Sequence, residues 1–334
     1  MAVVKANGYG HGAVPAARAA LEGGASWLGV SSVPEGVELR KAGIILPILN
    51  LGFTPPAAIS AAIAARLALT VYERKGLEQL KAAGTEIPVH VKVDTGMHRL
   101  GAEPIEAVRL AQEVHSDPNL RLEGFWTHFA DADRDEVFTR QQLAIYMQAR
   151  EALKSAGVGG FISHAANSAG LLRVAEARLD LVRAGLIIYG LRPTKGWTDL
   201  PELRPALTWR TVVTNVMQLP AGQTVGYGRR FSSNRPARVA TIAVGYADGL
   251  HRMASNGGQA LVRGQRAPLA GTISMDQAAL DVTGVPDVSI GDTVTLIGQD
   301  RAASQTADDL AEASGTISYE VLCAISSRVQ RRYT

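Results

Sequence analysis

Short apolar runs recur through the first 190 residues, at Ala2 to Lys5, Trp27 to Val30, Pro47 to Leu51, Leu67 to Val71, Val89 to Val93, Leu122 to Thr127, Phe161 to Ser163 and Leu181 to Arg183. Between them, apolar positions fall at helical spacing among good helix formers, as in Ala13 to Glu22, Pro34 to Lys41, Glu73 to Ala83, Pro104 to His115 and Asp135 to Ser155. Eight strands alternating with helices predict an α/β fold, a parallel (β/α)8 TIM-type barrel. After Arg183 the pattern changes. Leu207 to Met217, Ala237 to Val244, Gln259 to Val262, Ala278 to Val282 and Thr293 to Ile297 alternate apolar with polar residues between Gly- and Pro-containing turns. That predicts a mainly β C-terminal domain, with one helix from Thr306 to Ser314 that Thr306 caps and Gly315 stops. The expected domains are residues 1–195 and 205–334. Nothing after the eighth run reads as a barrel helix and nothing precedes the first run, so the barrel is expected to be N-terminally incomplete by about one helix.

Composition narrows the class. With 334 residues and 46% hydrophobic content, the chain can bury a substantial core. The net charge is only +3, and Lys and Arg are scattered without basic runs, which argues against a nucleic-acid partner. A single cysteine, Cys323, excludes an intrachain disulfide and a cysteine-built metal cluster, and it fits a reducing compartment. No run reaches the roughly 18 apolar residues of a membrane-spanning helix, so no membrane partner is expected and the cytoplasm is the expected location.

On a barrel of this kind, chemistry belongs at the C-terminal ends of the strands. Polar residues collect there: Lys5 ends the first run, Asp94, His98 and Arg99 follow the fifth, and His128 follows the sixth. His164, Asn167 and Ser168 follow the seventh, and Arg183 and Gly185 close the eighth. An amine in an apolar setting loses its proton more readily, which suits Lys5 to Schiff-base chemistry with an aldehyde; the bland alternative is a lysine whose head snorkels to water. Lys92 lies inside an apolar alternation and needs a carboxylate partner, with Asp94 nearest, or a modification. Asn167 and Ser168 read either as an anion site at a helix start or as a plain cap. Tyr246, flanked by Gly245 and Ala247, reads as turn packing or as an acid–base phenol, and Tyr319 as a hydroxyl donor or a helix core residue. A metal-dependent hydrolase would need His98, His128 and His164 to converge.

Taken together, Val3 to Gly12, Val93 to Gly101, Thr127 to Ala130, Ala166 to Ser168, Val182 to Gly185, Gly245 to Gly249, Ser274 to Gln277 and Tyr319 to Val321 resemble the alanine racemase family, over nearly the whole chain. The resemblance implies a pyridoxal-phosphate-dependent isomerase that interconverts L- and D-alanine by a two-base mechanism and supplies D-alanine for peptidoglycan. It implies Lys5 and Tyr246 as the two bases. It implies Lys5, Tyr9, His128, Asn167, Ser168, Arg183, Gly185, Leu186 and Tyr319 around the cofactor, with Arg183 facing the pyridine nitrogen. Arg99 and Met275 are implied for the substrate carboxylate, and a carbamylated Lys92 for orienting Arg99. A head-to-tail homodimer with shared active sites and a small amino-acid substrate follow from the same likeness, and no metal does. Ser274 stands where cysteine is frequent, and the strand and helix that precede the lysine strand in relatives are missing from this chain. Alternatives in the same frame are a racemase of serine or of broader amino-acid range, or a truncated pyridoxal-phosphate-binding form with little activity.

Overall fold

The computed structural model describes residues 1–334. Two compact units divide the chain, Met1–Gly8 with Gly12–Leu203, and Tyr9–His11 with Arg204–Thr334.

In the first unit seven parallel strands pair in sequence order: β1 (Ala2–Val3), β2 (Leu28–Val30), β3 (Ile48–Asn50), β4 (Ala68–Val71), β5 (Ile87–Lys92), β6 (Leu120–Trp126) and β7 (Ile162–His164). The ring closes through one parallel bridge, Ala2 with Ala184, in which Val3 N donates to Ala184 O at 2.8 Å and Ala184 N to Met1 O at 3.0 Å. The eighth run therefore forms no strand, and the bridge falls on Ala184 just beyond it. Its pairing to β7 is broken because the Asp180 carboxylate, at 2.8 Å, takes the Ser163 N–H that a main-chain carbonyl would otherwise accept. Side chains alternate across the ring. Val89, Val91, Leu122 and Phe125 join the helices' Leu77, Leu110, Ala111 and Leu153 in the large core, while Met1, Trp27, Leu49 and Ala68 form a second cluster inside.

The helices form where the sequence predicts them, including Ala13–Glu22, Val33–Lys41 and Glu136–Ser155. Ile59–Ala64 is an additional short helix, launched by the turn at Pro56–Ala58. The segment after β1 is unlike any of them. Ala6, Asn7, Gly8 and Tyr9 all lie in the left-handed region, with φ of 52°, 53°, 62° and 52°. Each non-glycine residue there costs about 1–2 kcal/mol. Side chains offset that cost locally: Glu35 Oε1 accepts from Ala6 N at 2.8 Å, and Asn7 Oδ1 accepts from Ala13 N at 2.9 Å.

The second unit is built on an antiparallel sheet around β8 (Trp209–Leu219). A separate hairpin, β9 (Thr224–Val225) with β10 (Phe231–Ser232), follows β8 in the chain. The sheet continues with β11 (Ala237–Ile242), β12 (Gln259–Val262), β13 (Gln265–Pro268), β14 (Ala278–Asp281), β15 (Thr293–Asp300) and β16 (Ala303–Gln305). Arg263 and Gly264, both at positive φ, make the two-residue turn that joins β12 to β13. The helix Ala307–Ser314 has Thr306 as its cap, donated to by Asp309 N, and ends on left-handed Gly315. A further helix, Ser318–Ala324, carries Tyr319.

Candidate active site at the barrel mouth

Lys5 leaves β1 half-buried at the rim of the barrel, immediately before the left-handed turn. The loop after β5 is folded on its own carboxylate. Asp94 Oδ1 accepts from the N–H groups of Gly96, Met97 and His98 at 2.9, 3.0 and 3.1 Å, and Oδ2 lies 3.2 Å from His98 Nδ1. Burial pushes the Asp94 pKa up, but these hydrogen bonds outweigh it and hold the carboxyl below its ordinary range. Gly101, at φ 139°, closes the loop where a Cβ would strike Asp94, leaving Arg99 exposed at the loop's tip.

Asp94 is thus committed to its own loop and does not pair with Lys92. The Lys92 amine is buried, 4.6 Å from the centre of the Trp126 ring. Burial first, and then the positive charges of Arg99, Arg183 and Lys5, pull its pKa down to about 7. Arg183 lies 4.7 Å from the same ring and is also buried. Its NH2 donates to Thr127 O at 2.7 Å and Ala165 O at 2.8 Å and stands 3.2 Å from His128 Nδ1, while NH1 stands 2.9 Å from His164 Nδ1. Burial lowers its pKa to about 9, which leaves the guanidinium charged at neutral pH. His128 is driven well below the ordinary histidine range by burial and by Arg183, Lys92, Arg99 and Lys5.

Four cations therefore converge on one mouth, and the one acid beside them is consumed by its loop. Such a donor set suits a ligand carrying several negative charges. Asn167 caps the helix Ser168–Arg173 by accepting from Gly170 N at 2.9 Å, and Ser168 Oγ accepts from Gly185 N at 3.0 Å. The loops after β7 and at the barrel closure are joined by that bond, which leaves the Ser168 hydroxyl hydrogen and the Asn167 amide free to donate. Leu186 is buried one residue on. His98 pairs with Asp94, while His128 and His164 both stand against Arg183, His164 also against His90.

In the second unit, Tyr9 and Tyr319 meet with ring centres 6.1 Å apart. Burial, Tyr319 and Cys323 raise the Tyr9 pKa, so its hydroxyl stays protonated and able to donate. Tyr246 is tied to Met275 through the backbone: Tyr246 N donates to Ser274 O and Ala247 N to Met275 O, both at 3.0 Å, and Gly245 lies where a Cβ would overlap Met275 O. Both side chains are exposed, Tyr246 by 43% and Met275 by 53%. Tyr227, the most exposed tyrosine at 73%, is set between Gly226 and Gly228, both at φ 70°, and the Gly-Tyr-Gly spacing is its only signal in the sequence. His90 and Glu123, which the strand-end pattern does not single out, connect to Arg183 through His164.

Residues 1–193 match the family model of the alanine racemase N-terminal domain, and residues 206–333 that of the alanine racemase C-terminal domain. The chain is 46% identical to the alanine racemase of Symbiobacterium thermophilum, over 100% of this chain and 90% of the relative. The alanine racemase of Bacillus anthracis, solved with bound L-Ala-P, superposes with a TM-score of 0.92 at 38% identity, over 98% of this chain and 86% of the other. The biosynthetic alanine racemase of Pseudomonas aeruginosa gives 0.88 at 35% identity, over 100% and 92%. No helix of the chain is long and apolar enough to cross a membrane.

Proposed function

The chain belongs to the alanine racemase family of pyridoxal-phosphate-dependent isomerases, and from its site we propose that it moves the α-proton of alanine between two bases, Lys5 on one face and a tyrosine on the other. The observation that carries this reading is the cationic mouth around Lys5, Lys92, Arg99 and Arg183. When bound, pyridoxal phosphate supplies an aldehyde for an amine and a conjugated ring that spreads the electron pair left by the departing proton.

The residues present fit that group. Lys5 would hold it covalently, with Tyr9, Asn167, Ser168, Gly185, Leu186 and Tyr319 about its phosphate and His128 behind Arg183. Arg183 would donate a hydrogen bond to the ring nitrogen without surrendering a proton, which restrains the ring as an electron sink and favours reprotonation over other fates. Arg99 would hold the substrate carboxylate in its planar fork, with the backbone of Met275.

One base cannot serve both faces of a planar centre, so the second has to come from elsewhere. The resemblance puts that role on Tyr246. Tyr227 is a second candidate because it is the more exposed phenol, on a turn packed against Gly271 and Thr272, three residues before Met275. Both phenols would reach Lys5 of another copy, in a head-to-tail homodimer with shared sites. The expected place of work is the cytoplasm, in line with the single cysteine, and the product D-alanine would serve peptidoglycan.

Racemisation assays with L-alanine, L-serine and L-lysine test the substrate. Alanine is expected to lead by about 10-fold or more in kcat/KM. A preference for serine or lysine removes the alanine assignment.

Lys92 is read as the site of a carbamate. A pKa of about 7 leaves much of the amine neutral at neutral pH, so it can attack carbon dioxide, forming the N–C bond and releasing one proton. The product replaces a buried positive charge by a negative one beside Arg99. Carbamate is expected to build up as pH rises from 6 to 8. Carbon-13 bicarbonate should give one carbamate signal in the wild type and none in Lys92→Ala; its absence from the wild type across that range rejects the modification.

A further inference from the structure

Arg183 is a fully buried cation with no carboxylate in contact, a costly arrangement unless its charge is answered through intermediaries. A line of side chains leads away from it through the inside of the barrel. His164 Nδ1 stands 2.9 Å from Arg183 NH1, His164 Nε2 stands 2.9 Å from His90 Nδ1, and His90 Nε2 stands 3.5 Å from Glu123 Oε2. Glu123 is partly exposed, and Arg121 donates to its other oxygen at 2.8 Å.

Guanidinium can only donate, so the hydrogens along this line have one consistent arrangement. His164 must present a bare Nδ1 to Arg183 and, being neutral, carries its hydrogen on Nε2. His90 must then accept at Nδ1 and carry its own hydrogen on Nε2, which points to Glu123. Burial keeps both imidazoles neutral, displacing each pKa downward. The surroundings hold both rings in place. Trp126 stacks on His164 with 5° between planes, Trp27 meets His90 edge-on, and β6 has Gly124 where a Cβ would overlap the His90 ring.

We infer that Glu123 and His90 are positioning residues: in line, they take up the Nε2 hydrogen that Arg183 obliges His164 to carry, and so hold the His164 ring and the Arg183 fork in their working orientation. This rests on the role of Arg183 proposed above, but the hydrogen positions do not. Nitrogen-15 histidine spectra of the holoenzyme read them directly. In the wild type both His164 and His90 are expected as Nε2-protonated neutral rings, with the His164 Nε2–H proton shifted downfield by its bond to His90. Glu123→Leu removes the terminal acceptor and should move that proton upfield, with kcat down about 10-fold and KM for alanine changed less than about twofold. Glu123→Gln keeps an acceptor oxygen and should restore most of the downfield shift and most of kcat. His90→Phe, which keeps a ring and removes both nitrogens, should abolish the downfield shift and covers the case in which Glu123→Leu does not fold. An unchanged His164 Nε2–H signal in the folded variants overturns the inference. If instead Arg183→Leu leaves turnover intact while the signal behaves as described, the reading of Arg183 has failed and the positioning line has not.

Discussion

Lys5→Ala is expected to lower racemisation of both L- and D-alanine by about 10⁴-fold or more, because one substitution removes the covalent anchor for the cofactor and one of the two bases. The fold should survive it. Lys5 is only half-buried, and the hydrogen bonds that fix its surroundings belong to other groups: Val4 N to Gly29 O at 2.9 Å, Gly8 N to Val4 O at 2.9 Å and Ala6 N to Glu35 at 2.8 Å. Alanine fits the backbone here, so the melting temperature should stay close to wild type. Exchange of the α-proton in heavy water, followed by NMR from each enantiomer, is the measurement. Undiminished exchange in a folded Lys5→Ala protein removes the basis of the proposed mechanism.

Local signals made much of this legible. The helix Ala307–Ser314 is readable to the residue because Thr306 and Gly315 mark its ends chemically, and β12 because its short apolar run Ala260–Val262 is bounded by glycine turns. The eighth run was apolar enough to read as a strand, yet its neighbour pairs with the Asp180 carboxylate, a tertiary event that no periodicity reports. The left-handed turn after Lys5 was hidden for a related reason. Ala6, Asn7 and Tyr9 have no intrinsic preference strong enough to announce it, and Glu35, which holds it, lies 29 residues away.

The site shows the same division. Strand-end placement predicts that Lys5, Arg99 and Arg183 gather at one mouth, as they do, but the pairing of Lys92 depends on whether Asp94 is free. Asp94 folds its own loop and forms no ion pair with Lys92, which no periodicity in the sequence reports. The line from Arg183 to Glu123 had a weak trace in the sequence. His90 and Lys92 share one face of β5, and Gly124 interrupts β6 opposite His90, but only the closed barrel brings His164 between them.

The second base is expected to reveal itself by a loss confined to one face. Replacing the acting phenol by phenylalanine should lower racemisation by about 10²–10⁴-fold. The enantiomer whose α-proton faces Lys5 should still exchange that proton with solvent, without inversion, because the surviving base returns a proton to the face it came from. Tyr246→Phe and Tyr227→Phe are the pair to compare; the one that acts only by packing should lose less than about 10-fold. Subunit mixing then asks whose Lys5 the phenol serves. If each site joins Lys5 of one copy to the tyrosine of another, Lys5→Ala and the inactive tyrosine variant restore each other when mixed, since every heterodimer holds one intact pair. Random exchange predicts recovery of about a quarter of wild-type activity. Failure to recover, with exchange of subunits demonstrated, places both bases in one chain and rejects the shared site. Retention of racemisation within 10-fold in both single variants rejects a tyrosine as the second base.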